Sequence, residues 1–153
     1  MKYVQRVLQP GESVVHIARL HWLIFLNALV RGVLAAGLVI AAAMTVGDLQ
    51  TILTIVGVTA AFFALTSAVK SVITRITTEL AVTDRRVIYK SGLISRHTLE
   101  MNRGKVESVD VDQSIWGRLL GFGTIIVRGT GGSLEPIRMI GDPLTFRSHI
   151  TAG

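Results

Sequence analysis

No cysteine occurs among the 153 residues. Disulfides, thiolate metal sites and cysteine nucleophiles are therefore excluded, in agreement with a reducing compartment. Metal-binding spacing is absent as well. The histidines, His16, His21, His97 and His149, are scattered, with no His-x-x-x-His or carboxylate pattern that would hold an ion. A haem-ligand role for His21 would need a partner that the sequence does not supply. The serines lack the strand-turn-helix setting of a hydrolase elbow. Gly129 to Gly132 reads GTGG, but no Lys-Ser or Lys-Thr follows and no helix is expected to open there. It reads as a hairpin loop, not as a phosphate cradle. Together these absences predict a non-enzyme with no metal and no cofactor.

Charge is missing from two long stretches, Gly32 to Gly47 and Thr51 to Val69, which are separated only by Asp48-Leu49-Gln50. Each reaches or approaches the roughly 20 apolar residues that a helix needs to cross a bilayer. The alternative is a buried helix pair in a soluble protein, but soluble helices usually show one polar face and a short chain has little left to cover two apolar ones. The reading is a transmembrane helical hairpin over 22–73. Gly32, Ala36 and Gly37, with Ala60, Ala61 and Ala64 opposite, are small enough to let two backbones approach, although ordinary core packing accounts for them equally. A cleaved signal peptide fits poorly, because the polar segment up to His21 precedes the apolar stretch and no small-residue cleavage pattern follows it.

Trp22, Arg31, Lys70 and Arg75 flank the apolar runs as membrane-interface anchors. Basic residues Lys2, Arg6, Arg19 and Arg31 precede the first run against Glu12, and Lys70 and Arg75 follow the second, whereas the connection carries only Asp48. By the positive-inside rule both termini face the cytoplasm. The same bias accounts for part of the net charge of +6, so the basic balance does not call for nucleic acid as a partner. Transport is not expected of two helices without an intramembrane acid.

After Val69 the pattern changes to short, mostly alternating segments: Thr77 to Val82, Arg86 to Lys90, Arg96 to Met101, Lys105 to Val111, Thr124 to Arg128 and Leu134 to Ile140. Turn residues separate them, among them Asp84-Arg85, Ser91-Gly92 and Asn102-Arg103-Gly104. The broken period of Val106, Val109 and Val111 predicts a bulge. Gln113 to Leu120 reads as a short helix and Asp142 to Ile150 as a second one, with Asp142 as N-cap and Pro143 at the first helical position. Ser13 to Leu20 alternates and is a candidate further strand. A sheet this small cannot bury a core alone, so the last helix is expected to plug one open end of a barrel-like pair of sheets.

The run from Glu79 to Pro143 closely resembles the bacterial pleckstrin-homology-like domain of small membrane proteins. The resemblance is carried by Thr83-Asp84-Arg85, Ser91-Gly92-Leu93, the V-E-S-V strand Val106 to Val109, Gln113-Ser114, and Leu119 to Thr124. Leu8 to Glu12, His21-Trp22 and the two-helix anchor resemble it too. It implies a membrane-anchored α+β fold: the hairpin plus an antiparallel β-sandwich or barrel capped by a C-terminal helix. The implied organisation is a cytoplasmic N-terminal segment with a candidate β-strand (1–21), the transmembrane hairpin (22–73) and a cytoplasmic pleckstrin-homology-like domain (74–153), in a bacterial cytoplasmic (inner) membrane.

Members of this family serve as lipid-head-group or protein-binding modules, so the resemblance implies a fold more than an activity. The favoured reading is a non-enzymatic interaction module acting as an accessory or assembly subunit of a larger membrane protein complex. The alternative is a sensor of anionic lipid head groups, and homo-oligomerisation is left open. Candidate lipid- or partner-binding residues are Arg85, Arg86, Lys90, Arg96 and Trp116. Each has an ordinary structural reading beside it. Arg85 and Arg86 point apart on an extended chain, so pairing with Asp84 or a neighbouring carboxylate is expected. Trp116 and Phe122 flank a short helix, where core packing is expected over an exposed docking wedge. The longer Lys-x-Lys-x-Arg array of phosphoinositide binders is absent.

Overall fold

A computed structural model describes residues 2–130, 132–133 and 136–152. In chain order the elements are α1 (Lys2–Val7), β1 (Val14–Ala18), α2 (Leu26–Ala43), α3 (Asp48–Thr77), β2 (Glu79–Thr83), β3 (Arg86–Ser91) and β4 (His97–Asn102). They continue with β5 (Val106–Asp112), α4 (Ile115–Leu120), β6 (Phe122–Gly129), β7 (Gly132–Ser133), β8 (Ile137–Gly141) and α5 (Pro143–Thr151). Two compact units result: one is Trp22–Ile73, and the other joins the residues up to His21 with those from Thr74 onward.

The helical unit opens with a 3-10 turn, Trp22–Phe25, that leads into α2. Both Trp22–Ala43 and Asp48–Thr77 are long and apolar enough to cross a membrane. The connection differs from expectation. Asp48, Leu49 and Gln50 form the first turn of α3, and the bend is made by Met44–Gly47, where Gly47 takes φ +73°. Glycine adopts that conformation without a Cβ penalty, and a carboxylate in the first turn complements the helix dipole. The helices approach closely at Gly57, where an added Cβ would stand 2.9 Å from Val39 Cγ2; at Gly37 it would meet nothing within 4 Å. Ser71 Oγ donates to Ile24 O at 3.0 Å near the open end. Val33, Leu34, Ile40, Ile55, Val58 and Phe62 are all exposed.

The second unit is a sandwich of two antiparallel sheets. The first runs β1-β2-β3-β4; in the second, β5 pairs one edge of β6, and β7 and β8 lie in succession along the other. No pairing closes β4 onto β5 among the described residues, so the arrangement is an open sandwich and not the barrel that the sequence left as an option. An isolated bridge, Leu20 to Ile140, joins the two sheets. Between them lie Leu80, Val82, Val87, Ile125, Val127 and Ile140, all buried, with Phe146 and Ile150 of α5, which caps the sandwich by packing against the edge strands β1 and β5. Strand alternation would leave the outer face of β2 in water. Instead every residue of β2 is buried, because Val4, Tyr3 and Val7 of α1 cover Ala81 and Ile88. The sequence reading gave this N-terminal segment no helix.

Ser13 to Leu20 supplies β1, which pairs with β2, and the expected bulge appears as a register shift between Val106 and Ser108. Gly129 pairs with Gly132 as a hairpin, while Gly131 and the Leu134-Glu135 part of the expected last strand lie outside the described residues. Ser114 caps α4 by accepting from Gly117 N at 3.0 Å. Asp142 is not a side-chain cap. It sits at φ +50° with no cap hydrogen bond from its carboxylate, and its own N–H donates to Gly121 O at 2.9 Å.

The register places many features at one end of the sandwich. Ala18 pairs with Leu80, Glu79 with Lys90, and Ser91 with His97, so the end of β1, the start of β2 and the β3–β4 loop coincide. In the other sheet Asp112 pairs with Thr124 and Phe122 with Gly141. That puts α4 and the start of α5 at the end bridged by Leu20 and Ile140. Both crossings of the chain into the helical unit, after His21 and before Thr74, occur here.

Candidate functional site

At that end Tyr3, Arg6, Ile76, Thr77, Glu79, Lys90, Gly92, Leu93 and Arg96 line an open cavity of about 590 Å³. Its floor is set by Glu79, whose carboxylate accepts from Tyr3 N at 3.2 Å and Val4 N at 3.1 Å. An acceptor there satisfies N–H groups that the first turn of α1 would leave unpaired. Lys90 Nζ lies 4.0 Å from Glu79 Oε1 and 5.7 Å from the centre of the Tyr3 ring. Cation–π contact and ion pairing thus hold Lys90 against the wall, while Arg6 and Arg96 are exposed at the rim. Three basic side chains face one carboxylate, so the cavity favours an anion.

Arg85 and Arg86 stand at the opposite end of β3, about 13 Å from Lys90 at the rise of an extended strand. The four basic residues of the sequence reading are therefore divided, and Arg6 from α1 joins Lys90 and Arg96 in their place. Arg86 is fully engaged. Its Nε and Nη2 donate to Glu12 at 2.9 and 2.7 Å, its Nη1 to Glu100 at 2.6 Å, and its Nη2 also to Val7 O at 2.7 Å. The expected carboxylate partner thus exists, but it is Glu12 and Glu100; Asp84 accepts from Ser13 N. Hydrogen bonds from Arg86 hold the Glu12 carboxyl down at about 2 against the opposing effect of burial, with Gln9 N and Thr83 Oγ1 adding to the shift. The same pairing raises the Arg86 pKa. Arg85 is exposed, and among the described residues no hydrogen bond or ion pair engages its guanidinium.

Trp116 departs from the core-packing expectation. It is 67% exposed on α4, beside exposed Ile115 and Leu119, while Phe122 is half-buried with its ring 5.6 Å from that of His21. A helix of this length has one side against β6, and Gly117 takes that side, where an added Cβ would stand 2.7 Å from Phe122 O and could not fit unmoved. Of the flanking residues, Trp22 is exposed at the start of the 3-10 turn, Arg31 is exposed in the second turn of α2, and Lys70 and Arg75 are exposed along the last turns of α3.

Two histidines that looked scattered in sequence meet. The rings of His16 and His149 stack at 4.4 Å between β1 and α5, beside Phe146, and His149 Nδ1 lies 2.7 Å from Thr145 O. Burial, reinforced by His149, lowers the His16 pKa, with Asp142 opposing. The pair is not part of a metal cluster: among the described residues no three His, Asp or Glu side chains gather. The strand alternation at His16 was visible in sequence; its contact with His149 was not, because it depends on where α5 docks.

A family model described as the bacterial PH domain matches residues 23–152. Neither the curated proteins nor the solved structures contain a match to the chain.

Proposed function

The chain belongs to the bacterial PH domain family, and from that premise we propose a non-enzymatic interaction module anchored in the bacterial cytoplasmic membrane by its two apolar helices, serving as an accessory or assembly subunit of a larger membrane protein complex. Both ends of the chain face the cytoplasm in this reading. The observation that supports it best is the helical unit, where most large apolar side chains of α2 and α3 are exposed and the buried residues of those two helices up to Ile73 are small ones, Ala35, Ala42, Gly57, Ala64 and Ser71. In water such a surface would be uncompensated; in lipid, or against further helices, it is the ordinary exterior. On one side Gly32, Ala36, Ala61, Ala64 and Ala68 leave an open groove of about 490 Å³, wide enough for a neighbouring helix to approach closely. Gly37 and Ala60, named with these residues from the sequence, do not line it.

The test is purification of tagged full-length protein from its native membrane in mild detergent, after an alkaline wash that strips peripheral proteins. Stoichiometric recovery with a larger assembly, lost when Gly32→Leu and Ala64→Leu fill the groove, is the expected result. Recovery alone, with the protein retained through the wash, would overturn the accessory role and leave the anchor standing.

A second reading is favoured by the cavity of Arg6, Lys90 and Arg96: binding of anionic lipid head groups at the membrane surface, where each nearby basic residue contributes about 1 kcal/mol. Native mass spectrometry of the purified protein should then show retained phosphatidylglycerol, and Arg6→Ala, Lys90→Ala and Arg96→Ala combined should remove it. Equal retention by the triple variant would rule the cavity out.

A further inference from the structure

The exposed large apolar residues of the sandwich unit are segregated. Apart from Val15 and Ile17 on β1, those among the described residues are Ile76, Leu93 and Ile94, then Ile115, Trp116, Leu119 and Leu120 of α4, and Leu144. Strand register puts every one of these at the end where the chain crosses to the apolar helices. Ile94 is 98% exposed, Ile115 84% and Leu119 74%. The far end, by contrast, presents Asp84, Arg85, Asn102, Gly104 and Lys105, all exposed and polar or glycine.

From this segregation we infer that the β3–β4 loop and α4 are two apolar wedges that insert into the head-group boundary of the bilayer, so that the domain is seated on the membrane at one end and is not free on a tether. The inference rests on the membrane-anchored reading above. Chain continuity limits the alternatives. His21 packs on Phe122 immediately after α4, and Trp22, the next residue, begins the apolar stretch. On the return, β2 starts at Glu79, two residues beyond the last residue of α3. Only short runs of chain therefore join this end of the sandwich to the two apolar helices.

Charge agrees with a bilayer as the occupant. Arg6, Arg19, Arg96 and Arg118 are exposed around the wedges and Lys90 lies within the cavity, against the carboxylates Glu79, Asp112 and Asp142. The collar is net basic, as an anionic leaflet requires. Trp116 on such a collar is typical of side chains that settle at the head-group level, and apolar faces of this kind sink about 5–10 Å into the boundary. A protein partner would not require the exposed large apolar side chains other than Val15 and Ile17 to gather at the end nearest the helix crossings.

The absence of cysteine permits a direct test with the full chain. Single substitutions Ile94→Cys, Leu119→Cys and, at the far end, Lys105→Cys are labelled with an environment-sensitive fluorophore and reconstituted into vesicles of phosphatidylethanolamine and phosphatidylglycerol, with or without lipids spin-labelled near the top of the acyl chain. All three sites are exposed, so folding is not at risk. The expected outcome is blue-shifted emission quenched severalfold more strongly at 94 and 119 than at 105. Retention of the protein through an alkaline wash with no excess quenching at 94 and 119 overturns the wedges while the anchor stands. So does a blue shift without quenching, which would place a second copy or another protein surface over them. Release by the wash overturns the anchor and the wedges together.

Discussion

Glu12 and Arg86, 74 residues apart in sequence, meet side-on: Nε donates to Oε1 at 2.9 Å and Nη2 to Oε2 at 2.7 Å. Thr83 Oγ1 donates to the same carboxylate at 2.7 Å, and Gln9 N at 2.8 Å. The parallel fork fastens the turn after α1 to the β2–β3 hairpin, and α1 is thereby held over the outer face of β2. The Glu12 side chain is wholly buried, so its charge depends on this arginine.

Removing one partner strands the other. Arg86→Ala leaves a buried carboxylate without its cation, which costs about 3 kcal/mol; the expected readout is a clear fall in the thermal midpoint of the sandwich unit in detergent micelles. A midpoint within a degree of the unaltered protein would show that Arg86 is a surface ion pair of little consequence and is free to bind a ligand.

Acid should act through the same carboxyl. The folded value of about 2 lies below the ordinary 4.5, so the unfolded chain binds the proton first, and the stabilisation is complete above pH 4.5 and lost as pH falls toward 2. Denaturant titrations across that window should show stability declining with acidity, and Glu12→Gln should flatten the decline. An equally steep acid limb in Glu12→Gln would assign it to other carboxylates.

His16 works in a higher window. Its pKa is depressed from 6.5, first by burial and then by His149, so the neutral form stabilises the fold above pH 6.5 and that contribution fades as pH falls below it. Arg103 donates to the carbonyls of His149 and Ile150 nearby, adding a fixed cation to the same contact. Thermal midpoints between pH 7.5 and 5.5 should drop, and His16→Phe, which keeps the packing on Phe146, should reduce the drop. No difference between the two profiles would dissociate the stacked pair from α5 docking.

Gly129 gives a purely steric test. A Cβ there would stand 2.3 Å from Lys105 O and 2.8 Å from Met101 Sδ, and backbone cannot give way as a flexible side chain does. Gly129→Ala should cost about 1–3 kcal/mol, the range for overpacking, read as a lower denaturant midpoint. Gly37→Ala, with nothing within 4 Å, is the control and should leave stability unchanged or slightly raised.

Much of the architecture was legible because it is written locally. Unbroken apolar composition marked α2 and α3, and alternation between turn residues marked β1 to β6 to within a few residues. Ser114 capped where a short helix was expected. The errors have equally local causes. Asp48-Leu49-Gln50 reads as a loop because it is polar, yet Gly47 alone suffices for the bend. The three apolar residues Tyr3, Val4 and Val7 are too few to announce α1 until β2 lies beneath them. Trp116 looks like a core residue by type, but Gly117 and not the tryptophan faces β6.

By itself the sequence determined the family and every major element except α1, since propensity, periodicity and turn chemistry act between residues a few positions apart. Only the tertiary structure decided how the charges and apolar groups are shared out. It bound Arg86 to Glu12, brought Arg6 beside Lys90 and Arg96, stacked His16 on His149 and collected Leu93, Ile94, Ile115, Trp116 and Leu119 at one end. Each of these depends on which strand end meets which, a matter of register across the sheets, and no stretch of chain carries that information on its own.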